Sequence, residues 1–246
     1  MQHRSKKIKK SFFIILVVLI VLSGGSAIYL GNYYHSVDVE KYMNGSSEVS
    51  DEKFDKGWFF DGAGEEKALI FYPGAKVATE AYAPLMYQLT ESGIDCFLVD
   101  MPFHMAFFGM NRAEEIMQEY NYEAWYLGGH SLGGAMAANF AADYVEDHTD
   151  GIRGLLLLAA YPTKDLSTSD MSVVTVYGSE DGVLNMDKIV AGRELMPQDY
   201  KEVCIEGGNH AQFGSYGAQK GDGTAAIPAE EQWARTVEVF VGDESE

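Results

Sequence analysis

The sequence predicts an α/β fold, with a mostly parallel sheet, helices on both faces and no sizeable lid domain. Two observations predict it. From residue 66 onward, apolar runs of strand length alternate with longer segments whose apolar residues recur at helical spacing, the pattern of βα units whose strands are buried on both faces. The runs end in glycine-rich turns, and between residues 161 and 171 there is only a polar Asp/Ser/Thr connection. A length of 246 residues fits one domain, and no Pro- or Ser-rich linker divides it.

Six core strands are expected, at residues 68–72, 96–100, 124–127, 154–158, 173–177 and 202–205, with a short edge element at 57–61. Between the first two strands, residues 80–92 place Ala83, Leu85, Met86 and Leu89 on one helical face and stop at Gly93, a residue suited to the left-handed turn that ends a helix. Further helices are expected at 111–120, 133–146 and 230–241, the last with an apolar stripe of Trp233, Val237, Phe240 and Val241.

The first ten residues carry Arg4, Lys6, Lys7, Lys9 and Lys10 and no acid, although the net charge of the chain is −19. So acidic a body repels phosphate backbones and anionic headgroups, which excludes nucleic acid as its partner. Residues 11–34 contain no charge, and their run through Leu30 is long enough to cross about 30 Å of hydrocarbon, with Tyr29, Tyr33 and Tyr34 as an interfacial belt. The expected organisation is a basic cytoplasmic segment (1–10), a signal anchor (11–34), a polar stalk (35–57) and a catalytic domain (58–246). A cleaved signal peptide stays open as the alternative, because the strongly apolar core is short and Gly25-Ser-Ala27 offers small residues for cleavage. Either way the domain lies outside the cytoplasm. Cys96 and Cys204 fall in strands that are not neighbours, so they are expected as small buried hydrophobes and not as a disulfide.

Three turns carry the candidate chemistry. Gly128-Gly-His-Ser-Leu-Gly-Gly134 follows a strand and opens a helix, the context in which G-x-S-x-G forms a sharp elbow exposing the serine. Gly129 and Gly133 spare that elbow a collision, and His130 is expected to point along the turn. A serine hydroxyl needs a base to accept its proton and an acid to orient the base. Gly178-Ser-Glu-Asp-Gly182 supplies Glu180 or Asp181 after one strand, and Glu206-Gly-Gly-Asn-His210 supplies the base His210 after the last. His104, after the second core strand, is the competing histidine and a possible pocket residue. The negative charge of a tetrahedral intermediate needs two backbone N–H donors. Leu132 is expected to give one, and Ala75 or, failing that, Lys76 the other. The stretch from Phe213 to Thr224 is expected as a long loop shaping the pocket. No metal or organic cofactor is needed.

With Tyr72-Pro-Gly-Ala75, the serine elbow, Gly178-Ser-Glu-Asp181 and Gly208-Asn-His210 in place, the chain resembles the α/β-hydrolase superfamily over residues 66–242. It is most similar to compact lidless members such as dienelactone hydrolases and small carboxylesterases, and it carries serine where dienelactone hydrolases use cysteine. The resemblance selects Asp181 over Glu180, since the family's Gly-x-x-Asp turn ends on the functional acid. It implies a Ser131–His210–Asp181 triad acting through an acyl-enzyme on a small-molecule or cell-envelope ester. A peptidase, thioesterase or acyltransferase on the same triad is the alternative among enzymes, and a non-catalytic surface-displayed binding domain the alternative outside them.

Overall fold

The computed structural model describes residues 31–46, 48–64, 66–148 and 151–243. The expected basic segment 1–10 and the apolar run 11–30 lie outside the described residues. Among the described residues no helix is long and apolar enough to cross a membrane.

The strands are β1 (Ser50–Phe54), β2 (Gly57–Asp61), β3 (Lys67–Tyr72), β4 (Asp95–Val99), β5 (Ala124–His130), β6 (Ile152–Leu158), β7 (Ser172–Gly178) and β8 (Tyr200–Ile205). They form one sheet in the order β1-β2-β4-β3-β5-β6-β7-β8, parallel from β4 through β8 and antiparallel where β2 meets β1 and β4. The helices are α1 (Ala83–Glu91), α2 (Arg112–Glu119), α3 (Leu132–Asp147), α4 (Met186–Gly192) and α5 (Ala229–Asp243).

Strand alternation decides which helix covers which face. Leu69 and Phe71 of β3 pack with Leu85, Met86 and Leu89 of α1 and with Trp233, Val237 and Phe240 of α5. Ala68, Ile70 and Tyr72 face the other way, toward Ala113 and Ile116 of α2 and the small residues Ala137, Ala138 and Ala141 of α3. Alanines on α3 let that helix lie close to the sheet, and α3 begins directly after the candidate serine, the one residue between it and β5. Residues 159–171, between β6 and β7, contain no helix, so no lid is inserted there.

Three expectations differ from the structure. The segment 35–57 is not a free stalk: it contains β1, buries Val39 and Val49, and sets the Tyr42 ring edge-on to Trp233. Apolar and aromatic residues spread through a polar stretch escape a search for continuous runs, yet each finds a place on the domain. Helix α4, capped by Asn185 accepting from the Lys188 N–H, was not expected, because its seven residues are too short for a periodic signal. Cys204 is exposed, since β8 is the sheet edge and faces solvent, whereas Cys96 is buried. Five positions separate their strands, about 24 Å at the usual strand spacing.

Candidate active site

Three loops at the carboxyl edge of the sheet bring the candidate residues together. Strand β5 delivers Ser131 with φ 54° and ψ −121°, a left-handed geometry that costs a side-chain-bearing residue of order 1–3 kcal/mol. Hydrogen bonds hold it there: Ser131 N–H donates to Leu158 O (2.8 Å), and its carbonyl accepts from Ala135 N–H (3.1 Å). The flanking glycines are required by close approach. A Cβ on Gly133 would lie 2.1 Å from Tyr72 O, and one on Gly129 would lie 2.6 Å from the Gly133 carbonyl carbon.

After β7, Asp181 turns inward and Glu180 stays exposed. Asp181 Oδ1 accepts from the N–H groups of Val183 (2.9 Å) and Leu184 (2.8 Å), which aims Oδ2 at His210 Nδ1, 2.8 Å away. Both side chains are almost wholly buried, at 2% and 1% exposed. His210 Nε2 is also buried and has no hydrogen-bond partner among the described residues. His210, Ser131, Leu132 and Ala135 line one cavity of about 260 Å³ with Ala159, Ala160, Val183 and Leu184. The arrangement sets a serine residue and an imidazole, one of whose nitrogens is held by a carboxylate, along the same cavity.

The loop after β3 treats the amides of the two candidate oxyanion donors differently. Gly74 N–H donates to Tyr82 Oη (3.0 Å), Lys76 N–H to His104 O (2.7 Å) and Val77 N–H to Gly74 O (3.3 Å). The Lys76 amide is thereby engaged with His104. The Ala75 N–H has no partner among the described residues, and neither does that of Leu132 at the open N-terminus of α3.

Three side chains sit elsewhere than expected. His104 holds the loop through its backbone carbonyl and does not line the cavity; burial pushes its imidazole pKa down. Phe213 is fully buried and packs against the His130 ring, 5.7 Å between centroids, so it supports the site from beneath and does not shape the pocket. His130 does not run along the turn. It is 1% exposed, its Nδ1 lies 2.7 Å from Tyr82 Oη and its ring 4.4 Å from that of His210.

Two clamps were missed in the sequence. Asp222 accepts from the N–H groups of His210 (3.2 Å), Ala211 (2.8 Å), Gly223 (2.8 Å) and Gly182 (3.1 Å), tying the base loop to the acid loop. Gln232 on α5, fully buried, pairs with both backbone groups of Asn209 (3.0 and 2.8 Å). The available signals were an aspartate between two glycines and a glutamine beside an apolar helical stripe, neither of which names a partner. Among the described residues no group of His, Cys, Asp and Glu could hold a metal ion.

A serine on a strained strand-to-helix turn, at the carboxyl edge of a mostly parallel sheet, is the construction of an α/β hydrolase. Residues 68–234 match the model of the alpha/beta hydrolase family, and the chain belongs to that family. No curated protein sequence matches the chain. Among solved structures it is similar to carboxyl esterase 2 of Tuber melanosporum, at TM-score 0.59 and 12% identity over 85% of this chain and 89% of that one. It is also similar to a monoacylglycerol lipase of Paleococcus ferrophilus, at 0.57 and 14% over 80% and 99%, and to an esterase domain from Rhodothermus marinus, at 0.55 and 14% over 79% and 97%. At such identities the likeness is one of fold.

Proposed function

We propose that the chain is a carboxylic ester hydrolase that works through Ser131, His210 and Asp181. The observation that carries this reading is the buried Asp181–His210 pair at 2.8 Å, with His210 lining the same cavity as the elbow serine and its Nε2 left without a partner among the described residues. Asp181 holds Nδ1–H, which leaves the lone pair on Nε2 to take the Ser131 proton as Oγ attacks the ester carbonyl. The oxyanion is met by the N–H groups of Leu132 and Ala75, each donor being worth ~100–1000-fold in rate. Collapse expels the alcohol with the proton from His210. Water, activated by the same imidazole, then cleaves the acyl-enzyme and restores the serine. The esterase and lipase names of structurally similar proteins favour an ester over an amide or thioester.

We further propose that residues 11–34 anchor the chain in a membrane with the domain outside, on the strength of the uncharged run and the five preceding positive charges. The test of the activity is labelling of the protein by a fluorophosphonate probe together with p-nitrophenyl acetate turnover, in the native chain and in Ser131→Ala, Asp181→Ala and His210→Ala. Labelling and turnover that vanish with Ser131 and fall with the other two support the reading. A native, folded protein that does neither overturns it and leaves a binding domain on a hydrolase scaffold.

A further inference from the structure

Beneath the candidate site lies a pair of buried polar side chains for which the triad chemistry has no use. Tyr82 and His130 are 0% and 1% exposed, 48 residues apart, and joined by a 2.7 Å hydrogen bond between Oη and Nδ1. Tyr82 Oη also accepts the Gly74 N–H at 3.0 Å. A phenol that accepts from an amide still carries its own proton, and its other partner here is His130 Nδ1. With the phenol proton donated to it, Nδ1 is the bare nitrogen of the ring and Nε2 the protonated one, and this tautomer is part of the proposal made below. Burial keeps both groups neutral, pushing the Tyr82 hydroxyl pKa up and the His130 imidazole well down, with the nearby His210 adding to the latter.

The pair adjoins the candidate serine, the candidate base and the loop after β3. His130 directly precedes Ser131, and its ring lies 4.4 Å from that of His210. The loop after β3 rests on the pair so closely that a Cβ on Gly74 would come 2.7 Å from His130 Nδ1 and 2.8 Å from Tyr82 Oη. The amides of Gly74, Lys76 and Val77 are all engaged, the first of them by this pair, and the unengaged one between them is that of Ala75.

We propose that Tyr82 and His130 are positioning residues: a neutral hydrogen-bonded pair that fixes the Pro73–Gly74 peptide, and through it the next peptide, so that the Ala75 N–H stands opposite that of Leu132 when the oxyanion forms. The inference rests on the ester-hydrolase reading and assigns the oxyanion loop a side-chain support at the Gly74 N–H, in addition to the backbone bond from Val77 N–H to Gly74 O. The pair moves no proton during the reaction. It sets a dipole.

The experiment uses the full chain and Tyr82→Phe, with His130→Leu and His130→Gln beside it. Losing an oxyanion donor outright costs ~100–1000-fold, so a displaced donor should cost about 10–100-fold in kcat for p-nitrophenyl acetate, with KM changed by no more than about twofold. His130→Gln keeps an acceptor for the Tyr82 hydroxyl and should recover a good part of the kcat lost in His130→Leu. Assays run well below each variant's melting temperature separate this from lost stability. Histidine 15N spectra give a readout independent of turnover: His130 should show a bare Nδ1 and a protonated Nε2, unchanged from pH 8 to pH 5 and perturbed in Tyr82→Phe. An Nδ1–H tautomer overturns the proposal, and so does a folded Tyr82→Phe with native kcat. A native protein without Ser131-dependent turnover fails at the hydrolase reading instead, and the spectra then decide separately whether the pair exists as described.

Discussion

Asp181→Asn swaps one oxygen for an amide nitrogen, and the structure dictates which way the new side chain must point. Two backbone donors, Val183 N–H at 2.9 Å and Leu184 N–H at 2.8 Å, converge on Oδ1. The carbonyl oxygen of the substituted amide must stay there, because reversing it would set an NH2 group against two N–H groups in a site 2% exposed. The NH2 then takes the place of Oδ2, 2.8 Å from His210 Nδ1, where it can only donate. A neutral imidazole that accepts at Nδ1 carries its proton on Nε2, and an Nε2–H cannot receive the Ser131 proton. The variant is therefore locked in the wrong tautomer with its geometry intact. In a serine-protease triad the same change costs ~10⁴-fold in kcat, which corresponds to about 5.4 kcal/mol at 1.36 kcal/mol per decade. The same loss is expected here. It is measured as steady-state p-nitrophenyl acetate hydrolysis, with circular dichroism and a melting curve to confirm that the variant is folded. Retention of more than about a tenth of the native kcat would refute both the role of Asp181 and the orientation argument behind it.

Asp222→Ala leaves four backbone N–H groups without their carboxylate, two of them on the base loop and one beside Asp181. Charge-assisted bonds of this kind contribute ~1.5–3 kcal/mol each when buried, less here where the side chain is half-buried, so a loss of about 2–3 kcal/mol in urea-melt stability and of tenfold or more in kcat is expected. The cavity of about 260 Å³ lies below the usual range for drug-sized ligands, roughly 300–1,000 Å³, so p-nitrophenyl acetate and butyrate should exceed the octanoate in kcat/KM by about tenfold or more; equal values would count against this cavity as the acyl site. Glu202 accepts from both arms of Arg193 (2.7 and 2.8 Å), and that guanidinium, helped by the hydroxyls of Tyr177 and Tyr200, lowers its carboxyl pKa to about 2 from the usual 4.5. A depressed acid contributes stability that is complete above the unfolded value and lost as pH falls through the folded one. Glu202→Gln should thus be less stable than the native chain at pH 7 in urea melts, with the gap closing between pH 4.5 and pH 2; a gap that persists at pH 2 would show that the ion pair is not its source.

How much of the site was legible depended on the range of the interactions that build it. The elbow could be read because its demands are local: Ser131 needs a strand before it, a helix after it and glycines two residues away on each side, all within one short stretch. The candidate acid turn and the candidate base could be read because parallel strands all deliver their C-terminal turns to one edge of the sheet, so the ends of β7 and β8 had to meet the end of β5; the choice of Asp181 over Glu180 came from the family resemblance. Alternating apolar runs made the six core strands visible. Strand β1 stayed hidden because its five residues include Ser50, Asp51, Glu52 and Lys53, and an edge strand half open to solvent does not need an apolar pattern.

Sequence by itself determined the fold class and the turn that strains Ser131, since each follows from periodicity or from sterics among residues a few positions apart. Only the tertiary structure decided that the Lys76 amide is engaged and the Ala75 amide is not, that Asp222 joins the loops of Asp181 and His210, and that His130 turns inward to Tyr82. Those outcomes rest on hydrogen bonds between residues 12 to 48 positions apart. Burial selects such partners by the need to satisfy each polar group once water is gone, and a linear pattern carries no record of that selection.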